Sequence, residues 1–493
     1  MKTSWFKKYS LDWPTPFYVL LLAAFPVLYL YSYNISEIDA GQLGFPLSVY
    51  LAGAFLLWAL LTLLLRDGRK AGLATALFIL LFSSYGRLYE YLTSLGVFVP
   101  GHAYLLPGVL FIWGYCVYFI SRAKRDFRTS TTVLNIIAAV LIVLNLANIL
   151  IYEITKPQFD AGVPLNATDN VTSVTGETQS LPDIYFIILD EYANHDALKE
   201  WCGYDNSWFL KSLEDKGFYI ASKSTTRSYD TPQAMASVLN MEYLAGNGDP
   251  SWSDTTYQKL AHSKAADFLK SKGYKFVYFG CWTGLESFDK YMEKYADLYF
   301  NHYESGNNRV NEFEQILWKT TMLSPVYYKL TGSQYDIVMR RGVLDTLEHL
   351  KEIPDIAGPK FVFAHILPPH EPFVFGPKGE TVAPINYHNF KDRQFYLGQC
   401  IFISGEIDKV VGELVAKSKQ PPLIIIQSDH GLRPGHPGMD IDIDVNGWHR
   451  ILNAMYLPGM DKAVLYDSIS SVNTFRLIFN QYFNADYDLL PDD

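Results

Sequence analysis

At 493 residues the chain is too long for one ordinary compact domain, and it is 49% hydrophobic against 19% charged, with most of its long uncharged runs before Thr155; it therefore reads as a membrane part followed by a polar part. Four cysteines, none in a C-x-x-C pair, leave no disulfide framework and no cysteine zinc knuckle. Of 41 basic and 51 acidic residues, 11 and 7 fall through Thr155, which leaves 30 against 44 beyond it; that formal charge of −14 argues against nucleic acid as a partner, since an acidic surface repels a polyphosphate backbone.

Five stretches come near the roughly 20 apolar residues that a bilayer core demands, and predict spanning helices over Pro14 to Tyr33, Leu43 to Leu65, Ala71 to Leu95, Ala103 to Ile120 and Thr132 to Ile154. The first has Lys2, Lys7 and Lys8 on its flank, but four further spans follow and no small-residue cleavage site does, so it is expected to be a retained anchor. Basic residues recur at Arg66, Arg69 and Lys70, then at Arg122, Lys124, Arg125 and Arg128, while the intervening turn carries Glu37 and Asp39. By the positive-inside rule the amino terminus is cytoplasmic, and an odd number of spans puts everything after Ile154 on the far side. Arg87 and Glu90, three residues apart near the outer end of the third span, are either a charge pair at the water boundary or a contact for a lipid headgroup. The expected organisation is a membrane domain over 1–154, an aperiodic linker rich in Asn, Gly, Pro, Ser and Thr over 155–180, and an extracytoplasmic domain over 181–493. Sequons at Asn34, Asn166 and Asn170 are read as chance occurrences.

From Leu181 onward short apolar runs alternate with amphipathic stretches, which predicts an α/β layer fold around a central, mainly parallel sheet. The expected strands are Asp183 to Leu189, Lys275 to Phe279, Lys360 to His365 and Leu423 to Gln427; the expected helices include Trp208 to Lys216, Leu260 to Lys272 and Gln394 to Ala416. Ligands of such sheets sit beyond the carboxyl ends of the strands. There the first strand runs into Asp190 and Glu191, and the last into Ser428, Asp429, His430 and Gly431. Carboxylates joined by an Asp-His pair make a site for a divalent cation with mostly oxygen donors. Taken singly, Asp190 could equally cap a helix and Asp429 with His430 form a turn. Between them Thr231 precedes Pro232, which suits a first helical turn and makes Thr231 the expected N-cap. A hydroxyl at a helix amino terminus sits where anions are attracted, and a neighbouring cation would make it a nucleophile.

These residues, with His370 in the run PPHEP and SDHG at Ser428, resemble the alkaline phosphatase superfamily. Within it the likeness is to the sulfatase-like branch that includes lipoteichoic acid synthases and phosphoethanolamine transferases. The resemblance covers almost the whole chain, because those enzymes also place five membrane helices before an extracytoplasmic catalytic domain in the bacterial cytoplasmic membrane. It implies that Asp190, Asp429 and His430 are metal ligands, that Thr231 is the metal-bound nucleophile, and that Glu191 matches a second acidic ligand position. It also implies that His370 acts as acid or as a hydrogen-bond donor to the phosphoryl group. His365, His370, Arg433 and His449 are candidates for contact with substrate, the three histidines alternatively for part of a second metal site and Arg433 alternatively for a solvated surface position, and His436 for packing against its neighbouring prolines. The carboxylate-rich set favours one manganese or magnesium ion, with zinc as the alternative. None of Cys202, Cys281 or Cys400 lies in the C-x-P-x-R context from which sulfatases build their aldehyde, so phosphoryl chemistry is preferred. The implied activity moves a phosphoglycerol- or phosphoethanolamine-type headgroup from a membrane lipid to a glycan or lipid acceptor through Thr231. The alternatives are a membrane-bound sulfatase or phosphodiesterase using water, and an inactive scaffold. The stretch from Asn301 to Asp345 carries no readable motif.

Overall fold

The computed structural model describes residues 15–35, 38, 40–94, 101–155, 181–228, 230–244, 254–280, 292, 294–300, 312–382, 393–432 and 447–492. Nearly all of the expected linker lies outside these residues, as do Glu37, Asp39, Asn166, Asn170, Cys281, Arg433 and His436. The chain divides into two compact units, Met1–Lys156 with Val310–Ser333, and Pro157–Arg309 with Gln334–Asp493.

The first unit contains helices α1 (Tyr18–Tyr33), α2 (Gly44–Leu65), α3 (Gly68–Ser94), α4 (His102–Arg122) and α5 (Arg128–Thr155). Among the described residues, α2 to α5 are long and apolar enough to cross a membrane, whereas α1 is a 16-residue apolar helix. At about 1.5 Å per residue α1 rises about 24 Å, against a hydrocarbon core of roughly 30 Å. Of the five expected spans, length therefore supports four. Helix α1 nevertheless runs alongside α5 in the same direction. Asn135, early in α5, accepts the Tyr18 N–H (2.8 Å) and donates to the Thr15 carbonyl (3.0 Å), while Asn148, late in α5, donates to the Ser32 carbonyl (3.0 Å). In apolar surroundings such amide contacts hold helices together. The two basic loops meet at one end of the bundle, where Arg69 pairs with Asp126 (2.8 Å) and Lys70 donates to the Ser121 carbonyl (3.0 Å). Arg87 is exposed on α3.

The second unit is built on a mixed sheet of strands β1 (Ile184–Leu189), β2 (Tyr219–Ile220), β3 (Lys275–Phe279), β4 (Leu298–Phe300), β5 (Lys360–Ile366), β6 (Leu423–Gln427) and β7 (Asn453–Tyr456), in the order β2-β7-β6-β1-β5-β3-β4. The pairings among β6, β1, β5, β3 and β4 are parallel, and β7 runs antiparallel to both β6 and β2. Its helices include α6 (His195–Cys202), α7 (Ser207–Asp215), α8 (Thr231–Asn240), α9 (Asp254–Ala261) and α10 (Lys264–Ser271). Next in chain order come α11 (Glu312–Lys319), which belongs to the first unit, and α12 (Ser324–Leu350), which begins there. The last two, α13 (Arg393–Lys417) and α14 (Thr474–Phe483), complete the second unit. The run expected as one helix over Leu260 to Lys272 is two, because Ser263 turns out of the first and caps the second by accepting the Ala266 N–H (3.4 Å).

The core explains the height of the site. Ile184, Phe186 and Ile188 of β1, Phe361 and Phe363 of β5, and Leu423 and Ile425 of β6 form one cluster with Met235, Val238 and Leu239 of α8 and with residues of α10 and α14. Side chains alternate across a strand, so the next positions on this face are Asp190 after β1, His365 on β5, and Gln427 then Asp429 after β6. An apolar face thus turns polar at its carboxyl edge.

Candidate metal centre

Register brings the acidic groups together. In the parallel pair β1–β6, Ile188 lies opposite Gln427, so Asp190 and Asp429, each two residues further on, reach the same level of adjacent strands. Ile188 also lies opposite His365 on β5, which sets that imidazole beside Asp190. The Asp190, Asp429 and His430 ligand atoms lie within 4.8 Å of one another and all three residues are buried. His430 Nε2 stands 3.6 Å from both Asp190 Oδ1 and Asp429 Oδ2. Its Nδ1 lies 2.9 Å from the Gly431 carbonyl, which can only accept, so Nδ1 carries a proton and Nε2 is the ring atom that faces the carboxylates. Asp429 is held in turn: Oδ1 accepts the backbone N–H groups of Glu191 (3.1 Å) and His430 (2.9 Å).

The donor set fits a divalent cation. Asp190 Oδ1 and Asp429 Oδ2 are buried without a hydrogen-bond partner among the described residues, an expensive state for two carboxylates unless a cation takes those lone pairs. Burial pushes the Asp190 carboxyl up, but the facing imidazoles of His370, His365 and His430 more than offset it and hold it below the usual carboxylate range.

Thr231 comes to this cluster from α8, which packs on the same face of the sheet. The helix begins one residue earlier than expected: Asp230 is the N-cap, without a side-chain cap, and Thr231 is the first helical residue with Pro232 next. The hydroxyl survives that shift in place, with Oγ1 3.5 Å from Asp190 Oδ2 and the residue buried.

Glu191 takes a different direction from its neighbour. It has φ 61°, a left-handed conformation that a glutamate adopts at a cost of roughly 1–3 kcal/mol and keeps only where its surroundings dictate it. They do so here: its N–H is taken by Asp429 and its carbonyl accepts the buried Tyr396 hydroxyl (2.8 Å). Its side chain, expected among the first ligands, groups instead with His370 and Glu371, with His370 Nε2 3.9 Å from Glu191 Oε2. His370 Nδ1 lies 2.7 Å from the Glu371 carbonyl, and its side chain keeps 17% exposure, which makes it the open edge of the group.

Other expected residues fall elsewhere. His365 lies within β5 as expected, and its side chain is fully buried, 3.1 Å from Asp190 Oδ2. His449 Nδ1 is committed to the Thr226 carbonyl, on the segment that leads to Thr231. Gly431 is required by close approach, since a Cβ there would lie 2.5 Å from the Arg450 carbonyl oxygen. Residues not singled out in the sequence also matter. Glu371 joins the second group, and Tyr396 and Gln399, three apart on the first turns of α13, hold the loops that carry Glu191 and His370.

No protein-family model matches the chain, and no curated protein matches it. Among solved structures it is similar to a protein in the alkaline phosphatase superfamily from Vibrio parahaemolyticus, at 13% identity and a TM-score of 0.40, covering 61% of this chain and 66% of that one. More particularly, it is similar to the C-terminal periplasmic domain of EcEptC from Escherichia coli (12% identity, TM-score 0.40, 62% of this chain and 82% of that one). It is similar also to the lipoteichoic acid synthase LtaP from Listeria monocytogenes (12%, 0.37, 61% and 71%).

Proposed function

We propose that the chain is a membrane-bound, metal-dependent phosphotransferase that moves a phospho-headgroup from a phospholipid to an extracytoplasmic glycan or lipid acceptor by way of Thr231. The observation that carries this reading is the meeting of the Thr231 hydroxyl with Asp190, beside Asp429 and His430, at the carboxyl edge of a parallel sheet. Asp190, Asp429, His430 and Thr231 would hold one divalent ion, with manganese or magnesium favoured by the oxygen-rich set and zinc the alternative. Such an ion would acidify the hydroxyl and neutralise phosphate charge. Thr231 Oγ1, its proton lost to solvent beforehand, attacks phosphorus as the alkoxide and displaces the diacylglycerol oxygen, to be released again as the alkoxide when the acceptor takes the phosphoryl group. The amino terminus of α8 faces the charge that spreads over the phosphoryl oxygens. His370, protonated beside Glu191, gives its Nε2 proton to the leaving oxygen. The neutral imidazole then takes the proton of the acceptor hydroxyl as that oxygen attacks the phosphothreonine. His365 acts as a charge partner that orients Asp190.

The membrane placement belongs to the same proposal. Parallel α1 and α5 start from the end where the basic loops meet, so α1 counts as the first of five spans, and the chain leaves α5 at the opposite, extracytoplasmic end. Residues 155–180 then link to the catalytic part in 181–493, and the membrane is a bacterial cytoplasmic membrane. Anchoring suits a donor whose diacylglycerol product is insoluble. Intact-mass measurement of the full chain in detergent after exposure to membrane phospholipid tests the reading: an adduct on Thr231 gives the headgroup by its mass. A Thr231→Ala chain that folds and still turns lipid over would sink it. Headgroup released only as free product, with none on an acceptor, would identify a hydrolase.

A further inference from the structure

Residues 310–333 are encoded between strands of the sheet yet belong to the helical unit. Their attachment is made by backbone. The Gly86 N–H of α3 donates to the Thr320 carbonyl (2.8 Å), and the Phe82 carbonyl accepts the Met322 N–H (3.0 Å). An uninterrupted α-helix would join those two α3 groups to each other. Gly86 permits the approach, because a Cβ at that position would collide with the Lys319 carbonyl oxygen and lie 2.9 Å from the Thr320 Cα. Side chains complete the seat: Phe313, Leu317 and Trp318 are buried with residues of α1, α2 and α3, Trp318 stacks on Tyr50 (centroids 5.7 Å apart), and Met322 is buried with Tyr85 and Val109. On the same segment Ile316, Leu323 and Val326 are 42%, 42% and 54% exposed, while its buried residues pack with Tyr50, Phe82, Tyr85 and Val109, all within helices long enough to cross a membrane.

We propose that residues 312–327 are a membrane insert: a segment that docks on α3 through Gly86 and presents Ile316, Leu323 and Val326 to the acyl chains of the leaflet around it. The occupant follows from that seat, since exposed apolar side chains on a segment packed against bilayer-crossing helices lie in the same solvent as those helices. The inference rests on the membrane placement proposed above. Full-length protein in phosphatidylcholine vesicles containing a phosphatidylcholine with a diazirine in its acyl chain is irradiated, and adducts are mapped by peptide mass spectrometry. Adducts on peptides from both α2 to α5 and 312–327 are expected. Labelled α2 to α5 with an unlabelled 312–327 overturns the insert, whereas absence of label from α2 to α5 as well overturns the membrane placement. In Gly86→Val the 312–327 adducts should fall about tenfold or more while those on α2 to α5 persist, and Gly114→Val, where a Cβ meets nothing within 4 Å, should change neither. Retention of the 312–327 adducts in Gly86→Val overturns the docking mechanism.

Discussion

Gln399 is fully buried, and its amide is spent on one loop. Nε2 donates to the carbonyls of Pro369 (3.2 Å) and His370 (2.9 Å), while Oε1 accepts from Val374 (2.9 Å) and Phe375 (3.3 Å). Gln399→Leu would leave those backbone groups without partners, at roughly 1–3 kcal/mol for a buried group, and free the segment that aims His370. Turnover should fall about 10- to 100-fold with the donor KM nearly unchanged, as expected when a proton donor is misplaced by about an ångström. Steady-state kinetics beside a thermal unfolding curve checks this, and an unchanged kcat in a folded variant would count against the role of His370. The carboxylates of the proposed metal site support a second expectation. Chelation should destabilise the full chain, and manganese restored at about a hundredfold over its Kd should return about 2.7 kcal/mol. Asp429→Asn should abolish that response in thermal unfolding. Thr231→Ala should keep most of it, because the hydroxyl is one donor among four.

At the scale of elements, β1 and β5 are locked at their starts by a buried ion pair, Lys360 Nζ to Asp183 Oδ2 at 2.9 Å. Burial pushes the Asp183 carboxyl above its ordinary value although Lys360 pulls it down. Lys360→Met removes the pull and leaves a buried carboxylate, which should cost about 3–5 kcal/mol at neutral pH. With the folded pKa raised, the unfolded chain ionises first as pH rises, so the deficit should be small below the ordinary carboxylate pKa of about 4 and grow towards neutrality. Denaturant unfolding at pH 4 and pH 7 measures it; a deficit that shrinks with rising pH would refute the assignment. This pair joins two of the four strands that were legible from sequence, because each of those holds a run of at least four apolar residues, and β1 and β6 end in polar clusters. β2, β4 and β7 are too short to show alternation, and exist because longer neighbours offer them an edge. The site was legible in the same way. Asp190 and Asp429 follow apolar strands, and the parallel register does the rest. The positive φ that sends Glu191 to His370, and the burial of His365 against Asp190, arise from tertiary packing that leaves no local signal. Tyr396 and Gln399 read as ordinary positions of an amphipathic helix.

The whole chain passes between its two units at 156, 310 and 333. The segment between the last two passages was opaque in sequence because Glu312, Glu314 and Lys319 interrupt its apolar residues, and only the backbone bonds it makes with Gly86 and Phe82 of α3 show what receives it. A lipid donor keeps its phosphorus at the bilayer surface, whereas a water-soluble diester reaches the metal centre from any direction. The two substrates therefore demand different things of the chain: the diester needs only the cluster around Asp190, and the lipid needs the catalytic unit held near the membrane. Releasing the insert leaves the passage at 156 as the attachment, and effective concentration at the surface falls as the tether lengthens. Gly86→Val should accordingly lower turnover of phospholipid in vesicles about tenfold or more, and leave hydrolysis of bis(p-nitrophenyl) phosphate within about twofold of the parent. Equal loss on both substrates would mean that the substitution damages the catalytic unit itself. Equal retention would mean that the insert meets lipid without delivering it.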